Sequence, residues 1–261
     1  MQEPPIPEQG RPRGRGIYLL PNLFTTAALF AGFYAIVAAM NDRFEAAAVA
    51  VFVAMVLDGV DGRIARMTNT QSAFGAEYDS LSDMVAFGLA PALVAYQWAL
   101  QSLGKLGWLA AFVYTAGAAL RLARFNTQVA SADKRWFQGL PSPAAASVIA
   151  GTVWVCTDYG VTPDRPLALV ACLLSIAVAL LMVSNIRFHS FKQLDLRGRV
   201  PFVAVLLVVL GFAFVSVDPP LVLFAGFVAY AFSGPVLTVL ERRRRRSGRR
   251  GHLPPSETPQ P

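Results

Sequence analysis

Four aspartates stand in an otherwise apolar region of the chain, within the segment LDGVDGRIARMTNTQSAFGAEYDSLSDMVAFGLAPA. Asp58 and Asp61 are three residues apart, and Asp79 and Asp83 are four residues apart. On a helix, either spacing places both members of a pair on one face. A short loop near 68–73 predicts that the two helices are antiparallel neighbours. We therefore expect the four carboxylates to converge in one site.

Such a site requires a compensating positive charge. An acidic side chain near the middle of a membrane costs on the order of 3 kcal/mol, and neighbouring carboxylates repel one another. Bound divalent cations resolve both problems, and oxygen-only ligands favour magnesium, manganese or calcium over zinc. Four shared carboxylates can hold two metal ions, an arrangement used in phosphoryl chemistry. Intramembrane acidic pairs also occur in proton relays and ion transporters, so a cation or proton transporter is the alternative.

Small residues and one arginine accompany the acids. Gly59, Gly62 and Gly75 place no side chain beside the carboxylates, so a nucleotide or a neighbouring helix can approach the backbone. Arg66 follows Gly62 by about one helical turn and can meet a phosphate or an acid.

The elements that carry these residues are predicted to be membrane helices. Hydrophobic residues make up 55% of the 261 residues and charged residues only 15%, against about 25% charged in soluble domains. A bilayer core requires ~20 apolar residues per helix. Eight stretches qualify, which predicts an all-α polytopic membrane protein with eight transmembrane helices: 17–40, 44–67, 75–100, 106–129, 142–159, 164–184, 200–217 and 219–240. The segment 186–199 is expected at the membrane interface.

The distribution of basic residues predicts the orientation. Eight spans place both termini on one side, with 20 of the Lys and Arg residues there and 3 on the other. Basic residues accumulate on the cytoplasmic side, so the termini are predicted to be cytoplasmic, and the aspartate site lies near that side. The net charge of +7 comes largely from the arginine-rich stretch 242–250. Such a stretch is more typical of a segment that fixes membrane topology or contacts anionic lipid than of one that binds nucleic acid.

The expected organisation is a disordered N-terminal segment at 1–15, a transmembrane domain at 16–240, and a basic, disordered tail at 241–261. The two cysteines and two histidines have no metal-ligand spacing, so a histidine-based or cysteine-based metal site is not predicted.

The aspartate segment resembles the signature of the CDP-alcohol phosphotransferase family, D-x-x-D-G-x-x-A-R, eight residues, then G-x-x-x-D-x-x-x-D. The matching positions are Asp58, Asp61, Gly62, Ala65, Arg66, Gly75, Asp79 and Asp83. The resemblance implies that the four aspartates hold two divalent ions, magnesium or manganese, which bind the diphosphate of a CDP-linked lipid. It further implies that Asp83 takes the proton from an acceptor hydroxyl and that CMP leaves.

The resemblance also implies a nucleotide site. Asn22 and Thr25, in the string PNLFTTAALFAG, correspond to a helix start that the family often has close to the nucleotide. An ordinary helix start with a proline is the alternative. The remaining residues expected to bind the nucleotide are Asp58, Asp61, Gly62, Arg66 and Gly75.

Three further strings, RLARFN, GLPSPAAA and MVSNIRFHSFK, resemble membrane-embedded phosphatidylserine synthases. The resemblance implies CDP-diacylglycerol and L-serine as substrates. Arg121, Arg124, Asn126 and Ser142 are then candidates for the acceptor site, since an arginine pairs well with the serine carboxylate. The arginines can instead be snorkelling anchors, and Ser142 can cap its helix.

Sister enzymes that use glycerol 3-phosphate, an inositol phosphate or another alcohol remain alternatives to a serine enzyme. The resemblance further implies a homodimer, and we expect the protein in a bacterial inner membrane.

Overall fold

The computed structural model describes residues 19–68, 72–128, 136–189 and 202–250. Helices dominate these residues, and one pair of short strands joins them. The helices are α1 (Leu19–Met40), α2 (Phe44–Thr68), α3 (Ala73–Asp83), α4 (Ala90–Trp98), α5 (Lys105–Gln128), α6 (Ser142–Asp158), α7 (Arg165–Val183), α8 (Phe202–Val217) and α9 (Pro219–Arg250). A π-helical turn, Met84–Leu89, joins α3 to α4, and a 3-10 turn, Leu100–Leu103, precedes α5.

Each predicted span coincides with helical structure, the third one with α3, the π turn and α4 together. Within the described residues, four helical segments are long and apolar enough to cross a membrane: Pro21–Met40, Lys105–Thr127, Arg165–Val183 and Pro219–Thr238. Helix α2 carries several charged side chains, and α6 and α8 have only 17 and 16 residues. The count of eight transmembrane helices therefore stays a prediction.

Small side chains allow the helices to pack closely. Helix α1 lies along α2, and α5 lies along α7. The contact between α1 and the π turn is close, because a Cβ added to Gly32 would lie 2.6 Å from the Cα of Ala86. Packing through glycine and alanine is typical of membrane helices, which lack a hydrophobic driving force within lipid.

The π turn begins directly after Asp83. Its wider hydrogen-bonding pattern changes the backbone direction between α3 and α4. Helix α5 supports it, since the Tyr114 hydroxyl donates a hydrogen bond of 3.0 Å to the carbonyl of Phe87. The turn thus fixes the end of the helix that carries Asp79 and Asp83.

A two-stranded antiparallel ribbon joins distant parts of the chain. Strands β1 (Trp136–Gln138) and β2 (Arg187–His189) pair with Phe137 opposite Phe188. Phe188 is fully buried, so the start of the segment predicted to lie at the membrane interface packs inside the protein instead. An aromatic side chain in an extended backbone favours such strand pairing. Residues 190–199 of that segment lie outside the described residues.

Helix α9 continues to Arg250. The helix over 241–250 differs from the disorder expected there, and the disordered tail stays a prediction. Arginine is a good helix former. The predicted disordered segments 1–15 and 251–261 lie outside the described residues.

Candidate active site

Three of the four aspartates meet between α2 and α3. Ligand oxygens of Asp58, Asp61 and Asp79 all lie within 4.8 Å of one another. The connection between Thr68 and Ala73 is short, and α1 packs against both helices. Three carboxylates at this separation suit one or two oxygen-binding divalent cations, which also offset the repulsion between the acids. The donor set therefore fits a divalent metal site.

Helix α1 supports this cluster. The Thr25 hydroxyl donates a hydrogen bond of 2.7 Å to Oδ2 of Asp61, and both residues are only 4% exposed. The Ser82 hydroxyl of α3 in turn donates to the carbonyl of Thr25 at 3.1 Å. One residue of α1 thus connects the two helices that carry the acids, and a buried carboxylate gains a donor that it needs.

Asp83 lies beside the trio of acids. Its carboxyl interacts electrostatically with those of Asp58 and Asp79. Arg121 of α5 supplies the opposing positive charge. Asp83 therefore interacts with both the acidic cluster and a basic side chain.

A cavity of about 220 Å³ opens beside the acidic cluster, between α1, α2 and the start of α3. Its lining residues are Pro21, Asn22, Thr25, Asp61, Gly62, Ala65, Arg66, Ser72, Gly75, Ala76 and Asp79. Six of the seven residues predicted to bind the nucleotide are among them, and the seventh, Asp58, belongs to the acidic trio. Arg66 also interacts electrostatically with Asp61. The cavity therefore combines acids, an arginine and backbone open to a ligand.

Ser142 has a different role from the helix cap that the sequence suggested. Helix α6 begins at Ser142 itself, and the cap position falls on Pro141, whose side chain makes no capping hydrogen bond. The fully buried Ser142 hydroxyl instead accepts a hydrogen bond of 2.5 Å from Nη1 of Arg121. The capping prediction is therefore wrong, because a charged donor from α5 competes for the hydroxyl.

The other predicted acceptor residues have separate partners. Nη1 of Arg124 donates to the carbonyl of Val183 at 3.0 Å and to Oδ1 of Asn185 at 3.3 Å, at the end of α7. Nδ2 of Asn126 donates to the hydroxyl of Ser80 at 3.0 Å. Of the two arginines, Arg121 interacts with the aspartates, while Arg124 contacts the end of a helix, where free carbonyls attract cations.

Several residues of this region were not predicted from the sequence. Ser80 and Ser82 alternate with the aspartates in the string DSLSD, and that polar run within an apolar region was a signal that they take part. Tyr230 of α9, which interacts electrostatically with Arg121, gave no local signal. Tyr230 lies more than a hundred residues after Arg121 in the sequence, within an apolar helix.

Comparison with known proteins agrees with this geometry. The CDP-alcohol phosphatidyltransferase family matches residues 18–184. A CDP-diacylglycerol–serine O-phosphatidyltransferase of Helicobacter pylori is 40% identical over 177 residues, covering 68% of this chain and 74% of that protein. A protein of the same name from Bacillus subtilis is 35% identical over 174 residues, covering 67% and 92%. A Methanocaldococcus jannaschii protein, also of that name, is 35% identical over 143 residues, covering 55% and 63%.

Proposed function

Because this chain belongs to the CDP-alcohol phosphatidyltransferase family, we propose that it transfers the phosphatidyl group of CDP-diacylglycerol to L-serine. The products are phosphatidylserine and CMP. The observation that carries this proposal is the cluster of Asp58, Asp61 and Asp79, with which Asp83 and Arg121 interact. The names of the similar proteins support serine as the acceptor. A cation or proton transporter is no longer needed to explain the intramembrane acids.

The reaction exchanges one P–O bond for another. The serine hydroxyl oxygen forms a bond to the lipid-side phosphorus of the diphosphate, and the bond from that phosphorus to the bridging oxygen breaks. The bridging oxygen leaves with CMP. The hydroxyl proton passes to Asp83, the proposed general base, which lies within reach of the acidic cluster.

The four aspartates are the proposed metal ligands, with Asp58, Asp61 and Asp79 forming the common site and Asp83 beside it. We propose two ions because four carboxylates can be shared between them. Magnesium or manganese is proposed because the donors are all carboxylate oxygens. Such ions neutralise charge that develops on the diphosphate oxygens. Thr25 fixes the orientation of the Asp61 carboxylate through its hydrogen bond.

The cytidine and its phosphate are proposed to occupy the cavity beside the cluster. Asn22 and Thr25 contribute from α1, Gly62 and Arg66 from α2, and Gly75 from α3. A guanidinium binds phosphate oxygens through paired hydrogen bonds. The cavity lies next to the proposed metal ligands, so a diphosphate can extend from one site into the other.

The acceptor is proposed to bind on the other side of Asp83, where Arg121 faces the acids. Its guanidinium has five N–H donors, and Ser142 accepts from one nitrogen. The remaining donors suit the serine carboxylate. Arg124 and Asn126 support this side of the site by fixing the end of α7 and Ser80 of α3.

The protein is an integral membrane protein, as its apolar helices and its family indicate. We further propose eight transmembrane helices, cytoplasmic termini and an active site near the cytoplasmic side, on the basis of the basic-residue count. A homodimer in a bacterial inner membrane is part of the same proposal.

The test is product identification. Purified protein in detergent receives CDP-diacylglycerol, a divalent metal and one labelled acceptor at a time: serine, glycerol 3-phosphate or an inositol phosphate. Phosphatidylserine and an equal amount of CMP are expected with serine alone. A lipid product from another acceptor, with none from serine, contradicts the proposal and identifies a sister enzyme.

A further inference from the structure

Helix α9 starts at the end of the helix bundle that lies opposite the acidic cluster. Helix α6 shows which end this is, because it begins at Ser142, beside Arg121, and runs 17 residues to the far end. Just after α6, the Tyr159 hydroxyl donates a hydrogen bond of 2.6 Å to Asp218, the residue before α9. The start of α9 is therefore held at the far end.

The second half of α9 reaches the end of the bundle at which the acidic cluster lies. Gly234 packs against the ribbon, since a Cβ added there would lie 2.5 Å from two atoms of the Phe188 ring. The ribbon follows the end of α7, which Arg124 of α5 contacts one turn after the arginine that interacts with Asp83. The chain stays helical through Pro235 to its last described residue. The residues after Gly234 therefore continue outward from the bundle on the side of the acidic cluster.

The part of α9 beyond its apolar span has a high density of positive charge. The span ends at Thr238, and the helical residues 241–250 include seven arginines and one glutamate. At a rise of about 1.5 Å per residue, the arginine run 242–246 extends from about 6 Å to about 12 Å past the span. The headgroup layer on each side of a bilayer is about 5–7 Å thick. The arginine run therefore begins at the level of the lipid headgroups.

We propose that the arginine run of α9 binds anionic phospholipid in the leaflet on the active-site side and thereby concentrates the anionic donor, CDP-diacylglycerol, near the acidic cluster. Basic segments next to a membrane helix are attracted to anionic lipid. Lipid is favoured over nucleic acid as the partner because the preceding span holds the run at the headgroups. The binding of anionic lipid is independent of the reaction, whereas the concentration of the donor rests on the proposed function.

The first measurement is lipid binding, which requires no turnover. Full-length protein is extracted with a mild detergent from vesicles of phosphatidylglycerol and phosphatidylcholine, and the lipids that it retains are quantified by mass spectrometry. The wild-type protein should retain phosphatidylglycerol in excess over its share in the vesicles. The Gln variant, R242Q/R243Q/R244Q/R245Q/R246Q, should lose this excess. The Lys variant, with R242K/R243K/R244K/R245K/R246K, keeps the charge and should retain the excess.

A matched control removes basic residues from the opposite end of the bundle. Arg43, Lys105 and Arg165 stand there, where α2, α5 and α7 begin. The variant R43Q/K105Q/R165Q should keep the lipid preference and the kinetics of the wild-type protein.

The second measurement is the KM for CDP-diacylglycerol, expressed as its mole fraction in phosphatidylcholine vesicles. At low salt, this KM should rise about tenfold in the Gln variant, because the attraction of several arginines for the donor is lost. The values of kcat and of the serine KM should stay unchanged. At about 0.5 M salt, the difference from the wild-type protein should shrink, since charges are then screened within about 4 Å.

A Gln variant that retains the wild-type lipid ratio overturns the inference, and so does a Lys variant that behaves like the Gln variant. Binding of duplex DNA to the arginine run, without a preference for phosphatidylglycerol, assigns the run to nucleic acid instead. A lost lipid preference with an unchanged KM for CDP-diacylglycerol overturns the role in concentrating the donor. The proposed function fails separately, if the wild-type protein forms no phosphatidylserine, and the lipid-binding measurement still decides whether the run binds anionic lipid.

Discussion

The hydroxyl of Thr25 and the carboxylate of Asp61 form a hydrogen bond of 2.7 Å across the interface of α1 and α2. Both side chains are almost fully buried, at the wall of the cavity beside the acidic cluster. A buried carboxylate that loses a donor is destabilised by about 1–3 kcal/mol, and its orientation is no longer fixed.

Thr25→Val should therefore weaken the acidic site without changing the size of the side chain. We expect kcat/KM for CDP-diacylglycerol to fall by about tenfold, equivalent to ~1.4 kcal/mol. Steady-state kinetics with purified protein measure it. The control is Thr26→Val, whose hydroxyl bonds to Tyr78 on the exposed side of α1. Equal activity in the two variants would show that the Thr25 hydroxyl does not support the site.

Loss of one acid from the trio should abolish metal-dependent activity. Asp79→Asn removes a charged oxygen ligand, and we expect kcat to fall by at least about 100-fold, or ~2.7 kcal/mol. Glu77→Gln on the same helix, at an exposed position, should keep its activity. A chelator should inhibit the wild-type protein reversibly, with recovery on addition of magnesium or manganese. Activity that persists in Asp79→Asn and in chelator contradicts the metal site.

Asp83 should differ from Asp79 in the step that it affects. If Asp83 is the general base, Asp83→Asn removes turnover but keeps most of the metal-dependent binding of CDP-diacylglycerol, because the trio of acids is intact. Asp79→Asn should lose that binding. Direct binding of the CDP lipid to both variants, beside single-turnover rates, separates the roles. Binding that falls equally in the two variants assigns Asp83 to the metal alone.

The two arginines of α5 should respond differently to the same change. Arg121→Lys keeps the charge but loses the planar fork, and we expect the serine KM to rise about tenfold, equivalent to ~1.4 kcal/mol, with the KM for CDP-diacylglycerol unchanged. Arg124→Lys should lower the Tm instead, because Arg124 holds the end of α7. Serine KM values that are unchanged in both variants favour another acceptor alcohol.

The sequence by itself determined the helices and the pairing of the acids. Helix positions followed from apolar runs of the length that a bilayer requires. Most agree with the structure to within a few residues, but α9 extends ten residues beyond its predicted end and a π turn interrupts the third predicted helix. The spacing of Asp58 with Asp61 and of Asp79 with Asp83 fixed each pair on one face, because helix periodicity is a local property. The short connection between α2 and α3 then limits how far apart the two pairs of aspartates can lie.

Only the tertiary structure decided which polar residues contact one another. Arg121 and Arg124 are chemically identical and one turn apart, yet their partners come from α6 and α7. The ribbon pairs residues that are about fifty positions apart in the chain, and its Phe188 packs against Tyr230 of α9. These helices are apolar on nearly every side, so their sequences mark no single buried face. Contacts between the helices depend on where small residues allow close approach, as at Gly32 and Gly234. The sequence pattern of one helix does not show which other element will pack against it.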